Sequence, residues 1–214
     1  NPATNQPYTQ GDREQDILNA TQRLRERADN EAGGLKYLAN IYSDVGDDYF
    51  NRDVYPELMQ YLDYAFFETW TSQTDGTPET EAVWLNRVLI AQDMIQNRRA
   101  EPVVMGDYGD YWYALSTLLL VRENGKGMIY TQDMVSDAVL QKLNDIDLGE
   151  PLDVFAFIDN VYQRDWEKGK VIVNPADSGT FMISLGQNYE DAETGNIADN
   201  VTLPPKTGKI LIIR

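Results

Sequence analysis

Short apolar runs alternate with amphipathic helical stretches over the first 150 residues, and this alternation narrows the fold more than any other feature. The runs are Leu35–Tyr42, Tyr64–Glu68, Pro102–Met105 and Gly127–Tyr130. Helical spacing marks the segments around them. The first runs from Asp12 to about Glu31, with Ile17, Leu24 and Ala28 in register and Asp12 as N-cap. A short one covers Asp53–Leu62. The strongest, Glu79–Arg98, opens at Pro78 and carries Val83, Trp84, Val88, Ile90, Ala91, Met94 and Ile95. Two more start at Asp110 and at about Gln132.

Brief strands without polar alternation are buried on both faces. Joined by helices, they predict a parallel sheet under a helical layer. Near Gly149-Glu150-Pro151 the pattern changes. Val161–Arg164, a turn at Glu167-Lys168-Gly169, and Lys170–Asn174 read as a hairpin. Phe181–Leu185, Val201–Leu203 and Lys209–Ile213 add antiparallel strands.

The expected class is α/β. Four βα units fall short of a (β/α)8 barrel, which takes about 250 residues. The chain therefore reads as the C-terminal part of such a barrel, or as a small open α/β domain. The expected divisions are a flexible leader over 1–11, a partial barrel over 12–152 and an antiparallel β region over 153–214.

Composition removes whole classes of chemistry. The 214 residues contain no histidine and no cysteine. Ser-His-Asp and Cys-His catalysis, imidazole or thiolate zinc sites and disulfides are excluded within the chain. No cofactor or metal site is expected. Asp44, Asp47 and Asp48 lack the spacing of an EF-hand loop. A net charge of −17 argues against nucleic-acid partners. No apolar run of about 18 residues exists to span a membrane. The acid-rich, lysine-poor balance suits an extracellular setting.

Carboxylates, amides and aromatic rings remain. Glu68 directly follows Ala65-Phe66-Phe67, so it is expected at the C-terminal rim of a buried strand, the edge that faces the active site in parallel α/β folds. A carboxylate there, near Tyr64 and Trp70, suits acid/base or nucleophilic work on a sugar, because aromatic rings stack on pyranose faces. It equally suits a residue that opens a solvated loop. Asp107, after Val103-Val104-Met105, has the same placement with Tyr108 beside it, and the same residues read as an ordinary turn. Asn40, ending the first strand, is placed to bond a substrate hydroxyl or to turn the chain. Asp63 precedes the strand that leads to Glu68 and is expected at the opposite rim.

Two stretches carry a resemblance. Ile146-Asp147-Leu148-Gly149-Glu150-Pro151-Leu152, followed by Val161-Tyr162-Gln163-Arg164-Asp165-Trp166-Glu167-Lys168-Gly169-Lys170-Val171-Ile172-Val173-Asn174-Pro175, resembles the ending of the hypothetical glycosyl hydrolase group, a family-15-like set with a (β/α)8 barrel. Leu58–Trp70 resembles that group's strand ending in its presumed catalytic glutamate, with Tyr64 where glycine is usual. Val201–Gly208 resembles the approach to its closing strand. The resemblance implies a TIM-barrel glycoside hydrolase acting on a polysaccharide or oligosaccharide. Its N-terminal strands, and the partner carboxylate on one of them, would lie outside this chain. Glu68 would be general acid or nucleophile, Asp107 a second carboxylate, and Asn40, Tyr64, Trp70 and Tyr108 substrate-binding residues. The alternative is a non-catalytic glycan-binding or extracellular assembly protein derived from such a barrel, with another chain completing it.

Overall fold

The computed structural model describes residues 9–31, 34–40, 54–73, 75–106, 110–130 and 136–214. Among them the elements run α1 (Gln10–Asn30), β1 (Leu38–Asn40), α2 (Val54–Leu58), β2 (Tyr64–Phe67), α3 (Glu81–Asn97), β3 (Glu101–Met105), α4 (Tyr111–Leu119), β4 (Met128–Tyr130) and α5 (Asp137–Asn144). Six strands follow: β5 (Ala156–Ile158), β6 (Val161–Trp166), β7 (Gly169–Asn174), β8 (Phe181–Asp191), β9 (Ile197–Leu203) and β10 (Thr207–Ile213).

Local chemistry sets the helix boundaries. Thr9 caps α1: its hydroxyl accepts from the Asp12 amide, and the Asp12 carboxylate accepts from the Thr9 amide at 2.8 Å. Asp12 is thus the third residue of a capping box and not the N-cap, and the last two residues of the expected leader are helical. Thr80, not Pro78, starts α3; Pro78 bridges to Ser72 two residues earlier. Asp110 caps α4 as expected, accepting from the amides of Trp112 and Tyr113.

Strands β1 to β4 form one parallel sheet in sequential order. The order never reverses, unlike that of a doubly wound sheet, so successive crossovers advance in one direction. Strand alternation then separates two faces. Ala39, Ala65, Phe67, Val104 and Ile129 join Trp84, Val88, Ala91 and Leu118 in one core beneath the helices. Leu38, Asn40, Tyr64, Phe66, Val103, Met105, Met128 and Tyr130 share the other, inner face. Of the run expected as a strand over Leu35–Tyr42, Leu35–Tyr37 precede the strand and Leu38–Asn40 form it among the described residues, with Leu38 and Asn40 exposed. Residues 41–53 lie outside the described segments.

The second sheet is antiparallel, in order β5-β6-β7-β10-β8-β9. It is larger than the expected hairpin with a few added strands. Its β7 and β10 pack on α4, and Val171, Val173 and Ile210 belong to the same core as Trp84. The two sheets therefore share α4 and one continuous core. Gly208 permits the close approach: a Cβ there would lie 2.5 Å from the Ser116 Cβ. Arg164 fastens the junction. Its guanidinium donates to the carbonyls of Leu120 and Arg122, each at 3.0 Å, and lies over the Trp166 ring.

Candidate functional site

The C-terminal rim of the parallel sheet gathers one residue from each strand. Asn40 is the last described residue of β1, Glu68 follows β2, Met105 closes β3 and Tyr130 is the last described residue of β4. Tyr64 and Phe66 point to the inner face, and Glu68 continues their parity. The Asn40 amide donates to the Glu68 carboxylate at 3.0 Å, which sets that carboxylate beside β1. Glu68 is half-buried and Asn40 exposed. Two sequence-predicted site residues thus meet. One oxygen of the carboxylate accepts a neutral amide, an arrangement that orients the group.

The other candidates fare differently. Tyr64 begins β2, so it stands at the opposite rim from Glu68, about 13 Å away at strand rise. It cannot stack on a ring held at Glu68. Trp70 is buried; its indole donates to the Ala114 carbonyl at 3.1 Å and its ring meets Phe67 edge-on. It is a core residue, because the chain turns inward after Thr69 and Arg87 holds the Trp70 carbonyl. Asp107 and Tyr108 lie outside the described residues.

Tyr130 was not singled out from the sequence. It is on the inner face at the C-terminal rim, exposed, and edge-on to Phe66 at 5.9 Å between centroids. Met105 pairs with Tyr130, and the Phe67–Val104 pairing brings Glu68 level with Met105. Tyr130 and Glu68 are therefore two strands apart in one row, roughly 10 Å at ordinary strand spacing. The signal was available: Tyr130 ends a short apolar run, as Phe67 does before Glu68.

The opposite rim is structural. Asp63 is buried and accepts from the Tyr37 amide at 2.8 Å, from Arg25 at 2.5 Å and from Arg99 at 3.0 Å, with Lys36 beyond at 3.5 Å. Burial alone would raise its pKa. The Tyr37 amide and the Arg99 and Arg25 guanidiniums outweigh that and hold it well below the usual carboxylate range. The expected placement of Asp63, away from Glu68, agrees with the strand direction. Surface clefts also lie elsewhere. One is formed by Arg122–Gly125 with Gly149–Pro151 and another by Lys142, Ile146, Glu190 and Ile212, and neither of these includes a rim residue.

No helix among the described residues is long and apolar enough to cross a membrane. No protein-family profile and no curated protein sequence matches this chain.

Proposed function

We propose that this chain is the C-terminal part of a (β/α)8 barrel of glycoside-hydrolase type, with Glu68 as its acid or nucleophile toward a polysaccharide or oligosaccharide. The observation that carries the reading is the position of Glu68. It follows a central parallel strand at the C-terminal rim, on the side away from the helices, with Asn40 at 3.0 Å. Asn40 would hold Glu68 in place and share a sugar hydroxyl with it. Tyr130, exposed in the same row, takes the stacking role first assigned to Tyr64 and Trp70. Hydrolysis needs a second carboxylate, about 5–5.5 Å away for retention or about 6.5–9.5 Å for inversion. Asp107 remains the proposed second acid of this chain. An extracellular location goes with the proposal, supported by the acid-rich composition and the glycan substrate.

The test is hydrolysis of a panel of polysaccharides by native protein and by Glu68→Gln. Loss of about 10²-fold or more is expected, the usual scale for a general acid. Undiminished turnover by Glu68→Gln refutes the role.

The burial of Trp70 and the placement of Tyr64 favour a second reading, a non-catalytic glycan-binding or assembly protein. Two of the four expected sugar-contacting residues are turned away from the rim. Saturable glycan binding that Glu68→Gln leaves intact, without product formation, supports this reading over the first.

A further inference from the structure

The cleft between the turn after α4 and the Gly149–Pro151 segment has a volume of about 130 Å³, and Trp166 of β6 lines it. Strand β4 begins at Met128, directly after that turn, and runs parallel to β3, which runs parallel to β2. The cleft therefore lies toward the end of the parallel sheet opposite Glu68. Trp166 is 6% exposed, and its indole N–H has no acceptor among the described residues. A buried donor without a partner is rare and costly in a folded chain. The indoles of Trp70 and Trp84 show the ordinary case, donating to the Ala114 carbonyl and the Thr117 hydroxyl.

The walls are held by their own bonds. Asn124 and Gly125 have φ of 53° and 75°, the left-handed pair of a two-residue hairpin turn, and the Lys126 amide closes it on the Glu123 carbonyl at 2.9 Å. Across the cleft the Glu167 carboxylate accepts from the Glu150 amide at 3.1 Å, and the Glu167 amide donates to the Glu150 carbonyl at 3.0 Å. Pro151 bridges to Trp166. Walls fixed in advance lower the ordering cost of binding.

Donors and acceptors alternate around the opening. Arg122 is exposed and makes no ion pair among the described residues. Its guanidinium and the Trp166 N–H only donate, the Glu123 and Glu150 carboxylates only accept, and the Asn124 amide does both. An anion would face the two carboxylates, and a cation would face Arg122. A hydroxyl both donates and accepts, so a neutral polyhydroxyl ligand answers the whole set. The volume is small against the roughly 300–1,000 Å³ of drug-sized sites, so the cleft suits a single sugar ring.

We propose that this cleft is a second binding site, which takes one neutral sugar residue, with Arg122 and the Trp166 indole N–H donating to its hydroxyl oxygens. The site goes beyond the reading of Glu68. It shares the glycan ligand and does not require that Glu68 be catalytic.

The chain has four tryptophans, so its indole N–H signals are few enough to follow singly by nitrogen-15 NMR. Trp166→Phe keeps a ring in the core and identifies the Trp166 signal by its loss. Glucose, galactose, mannose and xylose are titrated in turn, with sodium sulfate and calcium chloride as anion and cation probes. At least one sugar should shift the Trp166 signal saturably, with half-saturation at roughly 1–10 mM, the weak range expected of a single ring. The Trp70 and Trp84 signals should stay in place. Arg122→Ala, at an exposed position, should weaken the binding at least tenfold, and Glu68→Gln should leave it unchanged. No saturable shift with any of the four sugars overturns the proposal. A shift produced by sulfate or calcium and by no sugar overturns it as well. So does a sugar shift that Arg122→Ala leaves intact, or one that Glu68→Gln abolishes, which would place the sugar at the rim. The titration reads Trp166 and hydrolysis reads Glu68: sugar binding here with a fully active Glu68→Gln would remove the hydrolase role and keep this site, and an inactive Glu68→Gln without a Trp166 shift would do the reverse.

Discussion

Replacing Gly208 by alanine tests whether the two sheets form one cooperative body. The added Cβ would stand 2.5 Å from the Ser116 Cβ, 2.8 Å from its Oγ and 3.4 Å from the Tyr113 Cα. Gly208 does not have a left-handed backbone conformation, so the penalty is steric alone. Carbon atoms pack at about 3.5–4.0 Å, so β10 and α4 must separate by about 1 Å. A gap of that size forfeits up to half of each local dispersion contact, and Ile210 and Val173 sit in the same layer. Overpacking of this kind costs about 1–3 kcal/mol, and the closeness of two backbones argues for the upper end. Ser116→Gly removes the two closest atoms and leaves only the ordinary 3.4 Å contact. It carries its own helix-interior cost of about 1 kcal/mol. The double variant should then be less destabilised than the sum of the singles by about 1–2 kcal/mol. Urea unfolding followed by tryptophan fluorescence and by far-ultraviolet dichroism measures this, with the two signals superimposing. A Gly208→Ala penalty below about 0.5 kcal/mol, or strictly additive singles, would show that α4 and β10 do not meet as described.

Arg164→Ala should destabilise by roughly 3 kcal/mol, because it strips the carbonyls of Leu120 and Arg122 of a buried donor; the same urea titration reads it. Asp63→Asn should lower the urea midpoint at pH 7. The native pKa of Asp63 lies below its unfolded value, so the ionised group stabilises the fold above about pH 4 and loses that effect as pH falls further. The gap between native and Asp63→Asn protein should narrow on acidification, and a gap independent of pH would contradict the assignment. Tyr130→Ala should weaken glycan affinity about tenfold without changing the unfolding free energy by more than about 0.5 kcal/mol, since the ring is exposed; calorimetric titration checks the first part.

The parallel sheet was legible because alternating short apolar runs and helices leave few architectures open. Its boundaries were less so. Asp12 and Thr9 are both good cap residues, and only the reciprocal bond between them decides which one caps. Pro78 suits a first helical turn, yet its pairing with Ser72 holds it in a loop. Strand β8 runs past Leu185 to Asp191 across an irregularity, with Gly186 at φ 75°; a glycine in that position reads locally as a stop. At the rim, Glu68 and Asn40 followed from strand ends alone. Tyr64 could have been rejected by direction, since a residue that opens a strand cannot share the rim of the residue that closes it. Trp70 could not: its burial depends on Ala114 and Arg87, distant in the chain and brought near only by the core.

The residues that carry the resemblance divide by what they do. Arg164 joins the end of α4 to β6 and lies over the Trp166 ring, and Asn174, fully buried, donates to the carbonyls of Gly179 and Leu203. Lys206, within the Pro204–Gly208 turn, donates to the carbonyls of Glu79 and Pro175. Each of these ties the antiparallel sheet together or to the helical layer. They would be retained in any protein that needs this β region seated on that layer, whether or not it cleaves a sugar. Shared scaffold residues therefore bear on architecture, while activity belongs to the site built on it. Glu68 stands apart, because among the described residues its side-chain bond is to Asn40, made at the exposed rim and not within the core. A glutamate placed there contributes little that the fold requires, so its chemistry toward a ligand is where a functional pressure on this chain would be felt.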